Sequence, residues 1–312
     1  MKILLVHSGN AVSDSSDYTF VKEQGDALQN IGHDVFYFAI KGKGLKGYLG
    51  NRKRLVHTII SIDPDIIHAH YGLSGALAIL QKKAPVVITF HNGETLTMLG
   101  RIISSIASWF SNYNIYVAEH IRKNLFWQHG KYSILPCGIW LDKLPIVPHK
   151  EAVAALNFDP DTPNILFGGA FDNARKNHPL ARQAVSLAAN RANLIEMKGW
   201  DREQVPVLLS ACDLLLLPTL SEGSPQVVKE AMACNCPVVA TDVADIKWLL
   251  DGVTNSFVTG FDANEIAKCI DTIITSGNRS NGRDKIKVLG LDNKSVAINL
   301  DKIYARVISN KH

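Results

Sequence analysis

The sequence holds little that a scaffold or a membrane protein would need. Its five cysteines in 312 residues, Cys137, Cys212, Cys234, Cys236 and Cys269, follow no metal-ligand spacing, and Cys234-x-Cys236 has no second pair of Cys or His beside it. That excludes a disulfide framework or a zinc ribbon and suits a reducing compartment. No apolar run approaches the roughly 20 residues of a bilayer span; those within 213–218 and 102–110 are far shorter. Met1 leads straight into Lys2-Ile-Leu-Leu-Val6, with no charged leader region and no small-residue cleavage site, so a cytoplasmic chain is expected. Short repeats and low-complexity tracts are missing too, which excludes solenoid and fibrous architectures. No nucleic-acid motif accompanies the cations, so a nucleic-acid partner is not expected. What remains is 46% hydrophobic and 20% charged, an ordinary globular composition. Its length suits two domains of about 150 residues, each able to bury a core.

Short apolar runs alternate with helix-period segments, the pattern of parallel strands joined by crossover helices. In the first half the strand candidates are 2–7, 34–39, 66–70, 86–90 and 115–117, with helices at 18–29, closed by Gly32, and at 74–81. Residues 135–148 interrupt the alternation with Pro136, Gly138, Pro145 and Pro148, and read as the linker. The second half repeats the scheme, with strands at 164–167, 194–197, 214–217, 238–240 and 255–258 and helices at about 178–190, 203–211, 224–234, 245–250 and 263–276. The expected domains are 1–145 and 149–294, with a C-terminal helix over about 295–312 able to pack back on the first.

The most informative segment follows the apolar run Leu214–Leu217. A loop holds Glu222 and Gly223, and Ser224-Pro225 look like the N-cap and first turn of a helix. The carboxyl end of a strand thus opens onto a helix N-terminus, where unpaired N–H groups and the helix dipole favour a phosphate. Gly223 lets a ligand approach the backbone. Glu222 and Glu230 supply carboxylates suited to accepting hydroxyl hydrogens, as a sugar and a ribose require, although a glutamate near a helix start also complements the dipole with no ligand at all.

Glu222 and Glu230, within Ser-Glu-Gly-Ser-Pro-Gln-Val-Val-Lys-Glu-Ala-Met-Ala, resemble the Glu-x7-Glu motif of retaining glycosyltransferases of the GT-B fold, family 4 (glycosyl transferases group 1). Leu135-Pro-Cys-Gly-Ile139, Cys236-Pro-Val-Val-Ala-Thr-Asp242, Asp65-Ile-Ile-His-Ala-His70 and Thr89-Phe-His91 carry the likeness along nearly the whole chain. The resemblance implies an α/β protein of two Rossmann-like doubly wound domains facing a central cleft. Glu222 would bind donor-sugar hydroxyls, Glu230 the nucleotide ribose, and the backbone at Gly223, Ser224 and Pro225 the diphosphate. Trp200, in Lys198-Gly-Trp200, would line the base pocket or else pack as a core aromatic. Lys176 matches the family lysine that offsets leaving-group charge. The place of the family arginine, after Gly169, holds Ala170 and Phe171, leaving Arg175 as candidate substitute or as a plain exposed charge.

In the first half, His91 resembles the family histidine beside the donor sugar. Glu94 stands where relatives often carry aspartate, for acceptor contact. Gly9, in Ser8-Gly9-Asn10, matches a sparse version of the phosphate-side loop. His70 and Tyr71 read as acceptor-side residues and His68 as packed; alternation turns both histidines to one face, but no third metal ligand accompanies them. The implied activity is retaining transfer of a hexose-type sugar from a nucleotide diphosphate donor, UDP- or GDP-linked, to the hydroxyl of a saccharide or lipid-linked acceptor in surface polysaccharide or glycolipid synthesis. Neither cofactor nor metal is expected, since no Asp-x-Asp cluster is read in the chain. The alternatives are an inactive sugar-nucleotide-binding or scaffold protein, a GT-B epimerase, and an inverting transferase.

Positive charge gathers in the first half, with 15 Lys+Arg and 10 Asp+Glu over residues 1–148 against 18 and 19 over the remainder. Lys41, Lys43, Lys46, Arg52, Lys53 and Arg54 form a dense stretch that suits a solvated loop or an anionic partner. Leu99, Ile102, Ile103, Ile106, Trp109 and Phe110 recur at helical spacing. Such a stripe normally faces a core. Were it exposed, stripe and cations together would suit peripheral contact with an anionic membrane.

Overall fold

The computed structural model describes residues 1–9, 16–128 and 130–310. The chain divides into two compact units, residues 1–138 with 293 onward, and Ile139–Asp292. The boundary falls at 138/139 rather than within 145–149. Ile139 and Leu144 join the core of the second unit, and Arg283 holds that segment by donating to the carbonyls of Leu141 and Leu144 at 2.9 and 2.7 Å. The stretch from Ile139 to Leu144 is therefore fastened to the second unit and is not a loose linker, while Pro145 and Pro148 lie exposed beyond it.

The first unit is built on a parallel sheet of six strands, β1 (Lys2–Ser8), β2 (Asp34–Ile40), β3 (Ile66–His70), β4 (Val86–Phe90), β5 (Tyr113–Tyr116) and β6 (Tyr132–Ile134), in the order β2-β1-β3-β4-β5-β6. β3 and β4 are buried along their whole length, as expected where helices cover both faces of a parallel sheet. β5 begins two residues before the expected start, and the short edge strand β6 was not anticipated. Helix Ser16–Asn30 ends before Gly32, whose φ of +93° suits a residue without a side chain. The helix expected at 74–81 spans Gly72–Ala78. The C-terminal helix Asn293–Ser309 belongs to this unit, and Tyr304 is fully buried against it, 2.6 Å from Nδ1 of His68 on β3.

Helix Met98–Phe110 departs from the core-facing expectation. Its buried residues are Ser104, Ser105, Ala107 and Ser108, while Met98, Leu99, Ile102, Ile106, Trp109 and Phe110 are exposed. The serines are accommodated inside because each small side chain permits close approach or finds a partner. Ser108 Oγ meets the Tyr116 hydroxyl at 2.9 Å, and Ser105 Oγ donates to Arg101 O and accepts from Phe126 N–H. A Cβ on Gly72 would stand 1.9 Å from Ser104 Oγ, so the neighbouring helix begins against this one with no room for a methyl.

The second unit has a five-stranded parallel sheet, β7 (Asn164–Phe167), β8 (Asn193–Glu196), β9 (Leu214–Leu217), β10 (Val238–Thr241) and β11 (Phe257–Thr259), in the order β11-β10-β9-β7-β8. Four leucines in β9 and Val238–Thr241 in β10 are buried throughout. β8 and β11 lie at the sheet edges and sit one residue earlier and two residues later than expected. Each sheet reverses its winding once, between β1 and β3 and between β7 and β9. At such switch points two crossovers diverge to opposite faces and leave a crevice beyond the strand carboxyl ends.

Candidate active site

In the second unit the switch point carries a compact constellation. After β7, Gly168-Gly169 leads into a loop ending at Lys176, and after β9, Thr219–Pro225 leads into helix Gln226–Ala233. Lys176 Nζ lies 2.7 Å from Glu222 Oε1, and both side chains are largely buried. The lysine stem runs over Gly169, where a Cβ would stand 2.7 Å from Lys176 Cγ, so only glycine leaves that path open. Thr219 Oγ1 lies 3.0 Å from the same Glu222 oxygen, and the Arg175 carbonyl accepts from the N–H of Leu220 at 2.9 Å. The two loops are thereby stitched through backbone and side chain.

Helix Gln226–Ala233 begins one turn position later than the sequence suggests. Pro225 occupies the N-cap, with φ −67° and ψ 115°, and makes no side-chain cap. Ser224 is thus outside the helix, beside Asp245. Burial pushes the Asp245 carboxyl up, opposed by the Ser224 hydroxyl and the charge of Lys229, which is itself fully buried. The first N–H groups of a helix have no acceptor within it, so they face the loop that carries Gly223. A cation, a helix N-terminus and a buried carboxylate within one crevice can hold an anion and orient a polyhydroxylated group next to it.

Glu230 lies on the same helix, nearly buried, and pairs with Arg202 Nη1. Arg202, 28 residues away in the chain, matches no motif and was not read from the sequence. Thr219 and Asp245 were missed as well; a hydroxyl and an acid closely following apolar strands were the available signals. Arg175 has an exposed side chain and contributes its carbonyl. Trp200 is partly buried against Phe158, at a centroid distance of 6.4 Å, and its indole N–H donates to Glu196 O at 3.1 Å, so it forms wall and core together.

In the first unit the carboxyl ends of β3 and β4 gather an aromatic cluster. His91 lies 4.6 Å from the Tyr71 ring and 4.7 Å from Phe20, and His91 Nε2 is 3.1 Å from His70 Nδ1. Tyr71 has φ +72°, ψ 150°, and Asn92 has φ +114°, both sparsely populated for residues with side chains. Such strain is held by surrounding contacts, and Glu94 supplies some of them. Its carboxylate accepts from the N–H of His91 at 2.9 Å and of Asn92 at 3.1 Å. Glu94 thus braces its own loop, and burial pushes its carboxyl up to about 7 against the pull of those N–H groups.

His70, expected on the acceptor side, is fully buried. It stacks on His68 at 4.6 Å and on His91 at 5.3 Å, with the Phe20 ring 5.8 Å away. Burial lowers both histidines, His68 to about 3 and His70 well below its ordinary value. The His68 ring nitrogens are taken by the Tyr304 hydroxyl and by Thr89 Oγ1 at 2.7 Å, which leaves none for a metal. Gly9 approaches Ile40 O too closely for a Cβ, at 2.8 Å, and donates its N–H to that carbonyl. Asn10 lies outside the described residues.

Asp-x-Asp does occur, contrary to the sequence expectation, at Asp63-Pro-Asp65 and Asp159-Pro-Asp161. Both triplets precede strands, at the end of the sheet opposite the crevice. Asp65 accepts from the N–H of Lys2 at the start of the neighbouring strand β1, and Asp159 accepts from Asp161 N–H and Thr162 Oγ1 within its own turn, so both serve the fold. Among the described residues no group of three His, Cys, Asp or Glu is placed to hold a metal.

Two family models match the chain, glycosyl transferases group 1 over residues 164–276 and glycosyltransferase family 4 over residues 15–143. A D-inositol 3-phosphate glycosyltransferase of Mycobacterium sp. (strain KMS) is 24% identical over 262 residues, which cover 68% of this chain and 60% of that protein. An uncharacterized glycosyltransferase of Methanocaldococcus jannaschii is 24% identical over 302 residues, 87% of this chain and 81% of that one. The fold is similar to that of a sucrose-phosphate synthase from Thermosynechococcus elongatus, with TM-score 0.83 at 18% identity over 99% of this chain and 100% of the other. It is also similar to Anabaena HepE in complex with UDP and glucose, with TM-score 0.77 at 15% identity over 98% and 100%.

Proposed function

Since the chain belongs to the group 1, family 4 glycosyltransferases of GT-B fold, we propose that it moves a hexose-type sugar from a UDP- or GDP-linked donor to an acceptor hydroxyl with retention of configuration. The observation that carries this reading is the buried Lys176–Glu222 pair set against the N-terminus of helix Gln226–Ala233. In it Lys176 and the first N–H groups of the helix take the diphosphate. Glu222 takes sugar hydroxyls, and Glu230 the ribose, exchanging its bond to Arg202 for one to the nucleotide.

As the glycosidic bond breaks, negative charge grows on the leaving phosphate, and fixed cations and N–H groups stabilise it without reorganising. The leaving phosphate accepts the acceptor proton on the same face, so no side-chain nucleophile is required and catalysis is placement plus electrostatics. His91, held by Glu94 and by ring contacts, is assigned to the donor sugar. We read the reaction as metal-independent, supported by the commitment of both His68 nitrogens and of both Asp-Pro-Asp turns to the fold. The acceptor is read as a saccharide or a lipid-linked sugar. A cytoplasmic setting is supported by five cysteines that form no disulfide.

The absence of an arginine at Ala170 and Phe171, together with the exposed position of Arg175, favours one second reading, a protein that binds sugar nucleotides without turning them over. A melting screen against UDP, GDP and their hexose conjugates, followed by transfer assays with the binders, separates the two. A ligand at 100 times its Kd raises stability by about 2.7 kcal/mol. Stabilisation by a sugar nucleotide with an α-linked product from an α-linked donor supports the transferase. Stabilisation with neither transfer nor donor hydrolysis supports the second reading, and a chain that no nucleotide stabilises refutes both.

A further inference from the structure

Helix Met98–Phe110 is turned inside out. At 100° per residue, Met98, Leu99, Ile102, Ile106, Trp109 and Phe110 fall within an arc of about 120°. That arc faces water, with Met98 66%, Trp109 55% and Phe110 69% exposed. The opposite arc, packed on the protein, is Ser104, Ser105, Ala107 and Ser108. Folding alone gains nothing from this arrangement, since it leaves the largest apolar side chains in water and buries hydroxyls that must then be satisfied. The same surface continues through Phe126 and Trp127, 43% and 52% exposed, with Arg101 stacked over the Phe126 ring. Beside Ile106 and Phe110 an open groove of about 550 Å³ runs between Leu80 and Pro85, with Lys82 at its lip.

The charge around this surface selects its occupant. Between residues 80 and 131 the exposed cations include Lys82, Lys83, Lys123 and Lys131, with Arg101 half-buried. The two acids, Glu94 and Glu119, are buried and paired with Arg122 respectively. Two copies laid face to face would bring lysines against lysines, whereas an anionic surface would meet them with opposite charge. Exposed Trp, Phe, Ile and Leu on a helix flanked by Lys and Arg are the composition of a helix that lies in the headgroup plane of a bilayer. The helical layer over the same sheet face also carries the Lys41–Arg54 cations, for Tyr48, Leu55, Leu77, Ala107 and Leu125 share one core. No helix among the described residues is long and apolar enough to cross a membrane, so contact would be in the plane of the surface.

We propose that helix Met98–Phe110, with Phe126, Trp127 and the lysines beside them, docks the first unit on an anionic lipid bilayer. This does not rest on the donor-site reading and can fail or hold independently of it. The test is co-sedimentation of the whole chain with vesicles of phosphatidylcholine alone and of phosphatidylcholine mixed with phosphatidylglycerol, at low and high salt. Binding to the mixed vesicles only, weakened by salt, is expected. Trp109→Ser/Phe110→Ser, which changes exposed side chains and should melt with the wild type, is expected to abolish binding. Lys82→Glu/Lys83→Glu should weaken binding on the order of tenfold or more, since each cation near an anionic surface contributes separately. Failure to sediment with mixed vesicles at low salt would overturn the proposal, as would retained binding by the Trp109/Phe110 variant. So would a solution dimer that this variant converts to monomers while vesicles bind neither.

Discussion

Replacing Lys176 with methionine tests the centre of the site most directly, because the lysine has both a structural and a catalytic assignment. Lys176 and Glu222 have side-chain exposures of 13% and 9%, and their closest atoms are 2.7 Å apart. Without the ammonium, the Glu222 carboxylate is left nearly buried with the Thr219 hydroxyl, 3.0 Å away, beside the same oxygen. Removing one partner of a buried pair costs about 3–5 kcal/mol. The remaining hydroxyl and the partial exposure of Glu222 place this case near 3 kcal/mol. For a unit of this size that corresponds to a fall of about 6–12 °C in Tm. Adding Glu222→Gln to Lys176→Met should restore much of the loss, because the stranded charge is gone. Glu222→Gln alone should cost less, since the flexible lysine can carry its ammonium toward water. In turnover, Lys176→Met should lower kcat by about 100- to 1,000-fold, the effect of removing one preorganised charge-stabilising group. A variant that melts with the wild type, gains nothing from the second substitution and keeps kcat within threefold would refute the reasoning.

Three further outcomes follow from the geometry. Glu94 binds its proton more tightly folded than unfolded, at about 7 against 4.5, so its contribution to stability is complete below pH 4.5 and is lost as pH rises to about 7. Denaturant unfolding at pH 4.5 and 7.5 should therefore show Glu94→Gln gaining on the wild type by about 3 kcal/mol at the higher pH; a constant difference would refute the buried-acid account. Tyr304→Phe removes the 2.6 Å partner of buried His68 and should cost about 1–2 kcal/mol of stability without changing donor KM. Transfer activity should survive excess EDTA, and loss that magnesium or manganese restores would contradict the charge assignment to Lys176.

Much of the second unit's chemistry was legible in the sequence because it is local. Glu222, the loop glycine and Glu230 sit within nine residues of one another, and β9 announces itself as four leucines between Asp213 and Pro218. The register of Lys176 with Glu222 follows once β7 and β9 are neighbours. Arg202 could not be read, because its bond to Glu230 depends on how a loop after an edge strand folds over a distant helix. Helix starts were misplaced for a related reason. Ser224-Pro225 fits an N-cap signature, yet the Pro225 backbone, not the Ser224 side chain, takes the cap position. Helix Met98–Phe110 was misread because periodicity reports that an apolar stripe exists and says nothing about which way it turns. The informative residues were the three serines opposite it.

The return of the chain at Asn293 has a consequence for synthesis. Residues 139–292 form a unit contiguous in sequence, so all its strands emerge together. The other unit is interrupted, and the hydroxyl that satisfies His68 arrives only with Tyr304. At about 5–20 residues per second, the ribosome takes roughly 10–30 s to pass from Gly138 to that tyrosine. Throughout that interval β3 carries a histidine lacking one of its native partners, and the surface on which Asn293–Ser309 will settle stays wet. The unit made first is therefore the one finished last, and a nascent chain stalled within the second unit would hold its predecessor open to chaperones and proteases.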